Sequence, residues 1–172
     1  DGLVLQIALK GISTFRENDK TVYVTAQAGE DWDKFVAFSV EKNLAGVECL
    51  SGIPGFVGGT PVQNVGAYGQ DVAETIASVR VFDRKTFKIR EMTNADCRFS
   101  YRASVFNTTE KNRFVVLVVT FALKENGEPK IAYRDLRDFF DERNQSKPTL
   151  AETRAAVWHI RAAKSMVIDE SD

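Results

Sequence analysis

The sequence has 172 residues, of which 44% are hydrophobic and 27% charged, so its composition is that of a globular protein rather than a disordered one. Its 23 basic and 24 acidic residues give a formal net charge of -1, which offers no electrostatic reason to expect nucleic acid or an anionic membrane as a partner. No apolar run approaches the roughly 20 residues of a membrane span. The isolated Cys49 and Cys97 are typical of reduced cytosolic thiols, and with His159 as the only histidine we expect no metal site.

The two ends of the sequence favour a piece of a longer protein. The sequence opens in an alternating apolar run, LVLQIALKGIS at 3–13, which indicates a strand already under way. It closes with SMVIDESD at 165–172, directly after a predicted helix. A complete small domain is the alternative.

Two further elements follow the opening run. TVYVTA at 21–26 alternates and is rich in β-branched residues, which predicts a second strand. EDWDKFVAFSVEKN at 30–43 predicts an amphipathic helix, and its early acidic residues favour the positive N-terminal end. The apolar stripe of this helix consists of Trp32, Phe35, Val36, Ser39 and Val40.

The middle of the chain predicts three strands. TIASVRVFD at 75–83 and FKIREM at 87–92, joined by a polar turn, predict a β-hairpin. A short turn or helix and an irregular segment follow at 94–106. FVVLVVTF at 114–121 is almost wholly apolar, as expected for a central strand covered on both faces.

The last part of the chain predicts helices. Thr149 and Glu152 form a capping-box pattern just after Pro148, and this pattern marks the start of a helix. Strands dominate before residue 126 and helices after it, so we expect a domain boundary near 126–129. The side chains predicted to face the core of the last helix are Leu150, Val157 and Ile160.

A glycine-rich loop, SGIPGFVGGTPVQNVGAYG at 51–69, is the most unusual stretch. Its nineteen residues hold six of the eleven glycines and two of the four prolines, and none is charged. Glycine lets a ligand touch the backbone without a Cβ in the way, and backbone N–H groups can bind the pyrophosphate of a dinucleotide. Neutral groups of Gln63, Asn64 and Tyr68 could bind ring carbonyls and nitrogens. The loop therefore predicts a cofactor cradle; a structural cluster of turns is the alternative.

The loop is neither of the two common phosphate-binding motifs. The Rossmann fingerprint needs GxGxxG between a strand and a helix, whereas these glycines run G-x-x-G-x-x-G-G. A P-loop needs GK followed by Ser or Thr, which is absent.

Several motifs resemble the UDP-N-acetylenolpyruvoylglucosamine reductase family, flavoenzymes of bacterial peptidoglycan precursor synthesis. GIPGFVGGTPVQNVGAYGQ at 52–70 matches the family pattern IPG-x-x-G-(G/S)-x-PVQN-x-GAYG nearly throughout. CRFSYRASVF at 97–106, YRDL at 133–136 and IRAAKS at 160–165 follow in the family's order and spacing.

The resemblance implies a fold, two cofactors and a substrate. The implied fold is α+β: an FAD-binding domain of the vanillyl-alcohol-oxidase/PCMH type, which is mostly antiparallel sheet flanked by helices. Residues 1–126 would be the C-terminal portion of this domain. Residues 127–172 would be the helical beginning of a substrate-binding domain. The cofactors would be FAD and NADPH, and the substrate UDP-N-acetylglucosamine enolpyruvate, reduced to UDP-N-acetylmuramate in the cytoplasm. Neither a nucleic acid nor a membrane is an expected partner.

The family motif also implies site residues. Arg102 in SYRAS matches the catalytic arginine, whose planar fork suits a carboxylate and a developing enolate; a surface arginine paired with Asp96 or Glu110 is the alternative. Tyr133 and Lys164 match substrate-binding residues; ordinary helix-terminal roles are the alternative for both. The cofactor-binding residues implied by the motif are Ile53, Pro54, Gly55, Gly58, Gly59, Pro61, Gln63, Asn64, Gly66, Ala67 and Tyr68.

Three parts of the family pattern are absent from this sequence. The serine proton donor and the catalytic glutamate would follow residue 172, and a GGSNLL-like segment would precede residue 1. We therefore expect this piece alone to be inactive. Two alternatives remain: another FAD-dependent oxidoreductase of the same flavin-domain superfamily, and a non-catalytic nucleotide-sugar binding module.

Overall fold

The alternating segments of the sequence pair into one antiparallel sheet, against which the first helix packs. The computed structural model describes residues 4–18 and 20–167. Single helical turns of the tighter 3₁₀ type interrupt the loops at 48–50, 57–59 and 72–74. The strands and helices are β1 (Ile12–Arg16), β2 (Thr21–Gln27), α1 (Trp32–Glu41), β3 (Leu44–Ala45), β4 (Gly66–Ala67), β5 (Gln70–Asp71), β6 (Ile76–Asp83), β7 (Lys88–Thr93), α2 (Asn94–Cys97), β8 (Phe114–Glu125), α3 (Arg134–Asp141) and α4 (Leu150–Ala163).

Strand β8 lies in the middle of the sheet. It pairs antiparallel with β2 on one side, where Thr25 lies opposite Thr120, and with β6 on the other. The strand order is β1-β2-β8-β6-β7, and β3 also pairs with β8. The predicted central strand is thus confirmed, as is the β6–β7 hairpin. Buried and half-buried side chains alternate along much of β8, so one face is sealed and the other only partly covered.

Helix α1 and its predicted apolar stripe are confirmed. Trp32, Phe35, Val36 and Ser39 are buried, and the Asp31 side chain caps the helix by accepting a hydrogen bond from the Lys34 N–H at 2.9 Å. An aromatic cluster joins the helix to the sheet: the ring centroids of Phe35 and Phe121 are 4.7 Å apart, and those of Trp32 and Phe35 are 5.4 Å apart. Val40, the fifth member of the stripe, is half-buried.

The predicted opening strand at 3–13 is wrong over most of its length. Residues 4–11 form no strand, and β1 begins only at Ile12; Leu3 lies outside the described residues. Gly11 adopts a φ of +132°, which breaks an extended path, and Leu5 is 78% exposed, so the alternation does not reflect a buried face. The Leu9 carbonyl still accepts a hydrogen bond from the Gly29 N–H at 3.0 Å.

The last part of the chain is helical as predicted, and α4 begins at the predicted capping box. Tyr133 precedes α3, and Thr149 and Glu152 form the predicted capping box of α4. Arg154 of α4 makes a two-pronged ion pair with Asp33 of α1, with both N···O distances 2.6 Å. The predicted domain boundary near 126–129 stays a prediction. The predicted core side chains of α4, all buried, are Leu150, Val157 and Ile160.

No helix within residues 4–18 and 20–167 has the length and apolar character needed to cross a membrane.

At the end of β6, the side chain of Asp83 is fully buried and binds Arg113 and the turn that follows the strand. Arg113 donates to both of its oxygens, at 3.1 and 2.7 Å, and the Lys85 N–H donates at 2.9 Å. The hydrogen bonds from Arg113 hold the pKa of Asp83 well below its usual range.

We predict that Asp83→Asn lowers the melting temperature by several degrees at neutral pH and flattens its acid dependence. Because the pKa of Asp83 is lower in the folded than in the unfolded chain, its contribution is present above about pH 4 and is lost as the pH falls below that value. Thermal melts between pH 7 and pH 2 measure this, with the exposed Asp141→Asn as control. Equal acid sensitivity of both variants would contradict the assignment.

Candidate functional site

The glycine-rich loop uses its adjacent Gly58 and Gly59 for two different purposes. A Cβ on Gly58 would meet the Ala28 Cβ at 2.6 Å, so this glycine permits close packing against the residue that follows β2. A Cβ on Gly59 would meet nothing within 4 Å. Gly59 therefore presents bare backbone to open space, as a ligand cradle requires.

Some backbone donors of the loop are committed to the fold and others are free. The Val57 and Gly58 N–H groups bind the carbonyls of Glu30 and Ala28 at 2.8 and 2.9 Å, which anchors the loop beside β2. The remaining donors are suited to a pyrophosphate or a flavin carbonyl. Among the loop N–H groups without an acceptor in the described residues are those of Ile53, Gly55, Phe56, Gln63 and Asn64.

Beside Gly59 lies a mostly apolar cavity of about 490 Å³, which we call the glycine-loop cavity. Its polar side chains are Gln6 and Asn112, and Gly58 also borders it. An uncharged, largely apolar wall with a few polar groups is typical of cofactor sites. Its apolar side chains are Leu5, Ile7, Ala28, Phe56, Val62, Phe106, Phe114, Val115 and Val116.

Not every predicted cofactor residue has a free side chain. Asn64, buried and with a φ of +45°, donates to the Ser100 carbonyl at 3.0 Å and accepts from the Ala73 N–H at 3.0 Å. Its amide therefore holds the loop in shape, whereas the Gln63 side chain is exposed. Pro61 is buried, and Ile53 and Pro54 border a separate cavity beside α1 and α4.

A second cavity, of about 480 Å³, brings together three residues that are far apart in the sequence. Arg102, Tyr133 and Lys164 all line it, together with Tyr68 at the tip of the β4–β5 hairpin. We call it the tyrosine cavity. Sequence reasoning did not single out several other lining residues, although Asp135 and Arg161 lie inside the quoted YRDL and IRAAKS motifs. Those further residues are Gly69, Gln70, Asp71, Tyr101, Asp135, Arg161 and Met166.

Arg102 lies at the tip of a tight turn and is available for an anionic ligand. Ser100 and Ala103 close the turn with two backbone hydrogen bonds of 2.9 and 3.1 Å, and Arg102 has a φ of +54°. Its Nη2 donates to the Gly66 carbonyl, and its guanidinium lies 5.5 Å from the Tyr101 ring centroid. Within the described part of the chain Arg102 forms no ion pair.

The two acids considered as surface partners of Arg102 are engaged elsewhere. Asp96 caps α2 by accepting hydrogen bonds from Thr93, and Glu110 accepts a hydrogen bond from Arg113 at 3.1 Å. The alternative of a surface ion pair is therefore not seen.

The aromatic and cationic groups of the tyrosine cavity are ordered by their neighbours. The Tyr68 and Tyr133 rings meet edge to face, with centroids 5.5 Å apart. Lys164 donates to Asp135, and this hydrogen bond raises the pKa of the Lys164 ammonium, which therefore stays charged. Burial raises the pKa of the Tyr68 phenol, although the charges of Arg161 and Lys164 partly offset it.

An antiparallel α+β fold with an uncharged glycine loop and free backbone donors defines a nucleotide-cofactor-binding protein. A family model described as FAD binding domain matches residues 1–91. The chain belongs to this family of FAD-binding domains, and the predicted fold class and flavin cofactor are confirmed.

Curated relatives confirm the resemblance drawn from the motifs. The chain is 44% identical over 99% of its length to the UDP-N-acetylenolpyruvoylglucosamine reductase of Salinispora arenicola, covering 47% of that protein. It is 44% identical over 95% of its length to the reductase of the same name from Neisseria meningitidis serogroup B, covering 47% of that protein. The chain thus spans about half the length of these relatives.

A solved structure supports the fold alone. The UDP-N-acetylenolpyruvylglucosamine reductase (MurB) from Thermus caldophilus superposes with a TM-score of 0.57 over 78% of this chain and 41% of that one, at 23% identity.

We predict that Gly59→Val weakens FAD binding about tenfold or more while leaving the melting temperature of the flavin-free protein unchanged. A Cβ at this position has no protein atom within 4 Å, so we expect the added side chain to occupy the glycine-loop cavity and displace the ligand rather than disturb the fold. Fluorescence titration with FAD measures the effect.

The contrasting variant is Gly58→Val, whose side chain collides with Ala28 and should lower the melting temperature itself. Unchanged FAD affinity in Gly59→Val would remove this loop from the cofactor site.

Proposed function

We propose that this chain forms the flavin-binding part of an NADPH-dependent reductase that converts UDP-N-acetylglucosamine enolpyruvate to UDP-N-acetylmuramate in bacterial peptidoglycan precursor synthesis. The observation that carries the proposal is the tyrosine cavity, which Arg102, Tyr133 and Lys164 line together. The names of the relatives support the same activity.

The loop residues would hold the cofactor through their backbone. The N–H groups of Ile53, Gly55 and Gln63, which have no acceptor among the described residues, are suited to the pyrophosphate and the ring carbonyls, and Gly59 leaves room for the ligand. FAD, when bound, supplies to the substrate the hydride that it received from NADPH.

Arg102 would act on the reacting end of the substrate. Hydride addition to the enolpyruvyl double bond leaves negative charge beside the carboxylate, and a guanidinium binds both oxygens of a carboxylate and keeps its charge. The Gly66 carbonyl orients the guanidinium by accepting from Nη2. Because this acceptor is neutral, it does not compete with the substrate as a counter-ion.

The opposite side of the tyrosine cavity would bind the diphosphate. Lys164 provides a compact cation, and its partner Asp135 holds the ammonium toward the cavity. The Tyr133 side chain makes no capping hydrogen bond to α3, and its phenol would donate to a phosphate oxygen. The edge-to-face pair of Tyr68 and Tyr133 would limit the access of water.

We also propose the domain division and the location. Residues 127–172 would begin the substrate domain, because α3 and α4 form a hydrophobic cluster of their own with Cys49 and Tyr68. The cytoplasm is the proposed compartment: Cys49 and Cys97 are free thiols, and burial raises the pKa of both, that of Cys97 to about 12, so neither is poised for oxidation.

We predict that, in the enzyme containing this chain, Arg102→Ala slows transfer from reduced flavin to the enolpyruvyl substrate by ~10²–10³ while NADPH still reduces the flavin at nearly the original rate. The arginine stabilises charge that develops only in the second half-reaction. Stopped-flow absorbance of the flavin separates the two steps.

The exposed Arg137→Ala on α3, which forms no ion pair with the described residues, serves as the matched control. An equal loss in both half-reactions would contradict the role of Arg102. A wild-type flavoprotein that oxidises another alcohol or sugar, or that binds the nucleotide sugar without reducing it, would favour one of the two alternative functions.

A further inference from the structure

A buried carboxylate outside the proposed binding and catalytic residues joins the segments that support the tyrosine cavity. Glu48 is 1% exposed. Its Oε2 accepts from the Gly46 N–H at 2.7 Å, and its Oε1 accepts from Gln70 Nε2 at 2.7 Å and from the Lys130 N–H at 3.1 Å. Among residues 4–18 and 20–167 no cation pairs with Glu48. The ammonium of the nearby Lys130 binds Glu74 instead.

The first segment that this carboxylate holds is the β4–β5 hairpin. Gln70 is buried, and its side-chain oxygen accepts from the Cys49 N–H at 2.9 Å while its amide nitrogen donates to the carboxylate. Gln70 lies opposite Ala67 across a two-residue turn. The two turn residues, Tyr68 and Gly69, have φ values of +48° and +82°, as a tight hairpin requires. Fixing Gln70 therefore fixes the base of the turn that carries Tyr68.

The second segment leads into α3. The Lys130 N–H binds Glu48, and the Lys130 carbonyl accepts from the Cys49 Sγ at 3.3 Å. Three residues later comes Tyr133, whose ring meets the Tyr68 ring edge to face with an interplanar angle of 87°. One carboxylate thus holds the backbones from which both rings project.

We propose that Glu48 is a positioning residue that sets the spacing of Tyr68 and Tyr133 and thereby the affinity of the tyrosine cavity for its nucleotide-sugar ligand. The identity of that ligand rests on the proposed function. The position demands a side chain that only accepts hydrogen bonds, because three N–H donors converge on its two oxygens. An amide would turn its own N–H₂ group toward at least one of these donors.

The test is Glu48→Gln in the FAD-loaded enzyme that contains this chain. We expect the KM for the enolpyruvyl nucleotide sugar to rise about tenfold, with kcat changed less than about twofold and with FAD content and flavin reduction by NADPH unchanged. The matched control is Glu74→Gln, the same substitution at the exposed partner of Lys130, which should leave KM as it is. An unchanged KM in Glu48→Gln, or a parallel loss of flavin reduction, would overturn the proposal.

If Glu48→Gln does not fold, Gln70→Leu decides the matter. It leaves Glu48 with its two backbone donors, releases the hairpin and removes the acceptor of the Cys49 N–H, so KM should rise by a smaller factor, and an unchanged KM overturns the proposal.

A second measurement does not depend on the proposed reaction. Tyrosine-labelled NMR of the same proteins should give a ring-to-ring Overhauser contact between Tyr68 and Tyr133 in the wild type and in Glu74→Gln, weakened in Glu48→Gln. A contact that persists at full strength overturns the positioning role, whereas a wild-type enzyme that ignores the nucleotide sugar overturns only the proposed function.

Discussion

The proposed geometry of the tyrosine cavity depends on the buried Glu48 carboxylate, which pairs with no cation among the described residues. Burying an ionised carboxylate is costly unless hydrogen bonds replace its hydration, and three N–H groups do so for Glu48. Each of these donors would cost about 1–3 kcal/mol if it were left buried and unsatisfied. Two of the three donors, on Gln70 and Lys130, come from segments distant in the sequence, so the carboxylate ties the hairpin to the approach to α3.

The glycine loop satisfies a different constraint, since its backbone serves the fold and a ligand at once. Gly58 brings the chain into contact with Ala28, and the N–H of Gly58 is bound there, so this part of the loop cannot move away from β2. Gly59, the next residue, then faces open space with no side chain. A rigid anchor beside a bare surface is the arrangement that lets backbone donors bind a ligand without first being ordered.

Local patterns predicted the parts of the structure that local forces decide. The period of α1, the capping box at Thr149 and the apolar run of β8 each carry their own signal, and all three are confirmed. The strand predicted for the opening run was wrong because its alternating apolar side chains do not face the core. The contact that the run does make, from the Gly29 N–H to the Leu9 carbonyl, cannot be predicted from the run itself. The role of Glu48 had no local signal, since its partners Gln70 and Lys130 lie 22 and 82 residues away.

Helix α4 links the two proposed sites mechanically. Near its start Arg154 binds Asp33, and near its end Arg161 Nε donates to the Gly52 carbonyl at 3.2 Å, just before the loop enters Ile53. Burial opposes the ionisation of Asp33, but hydrogen bonds from Arg154 and from the Gly52 N–H outweigh it and hold its pKa below the usual value. The Gly52 N–H is thus bound by Asp33, the ion-pair partner of Arg154, and the Gly52 carbonyl is bound by Arg161 of the same helix. Lys164, proposed to bind the phosphate of the substrate, directly follows this helix. Any shift of α4 on substrate binding would therefore also move Gly52, at the start of the glycine-rich loop.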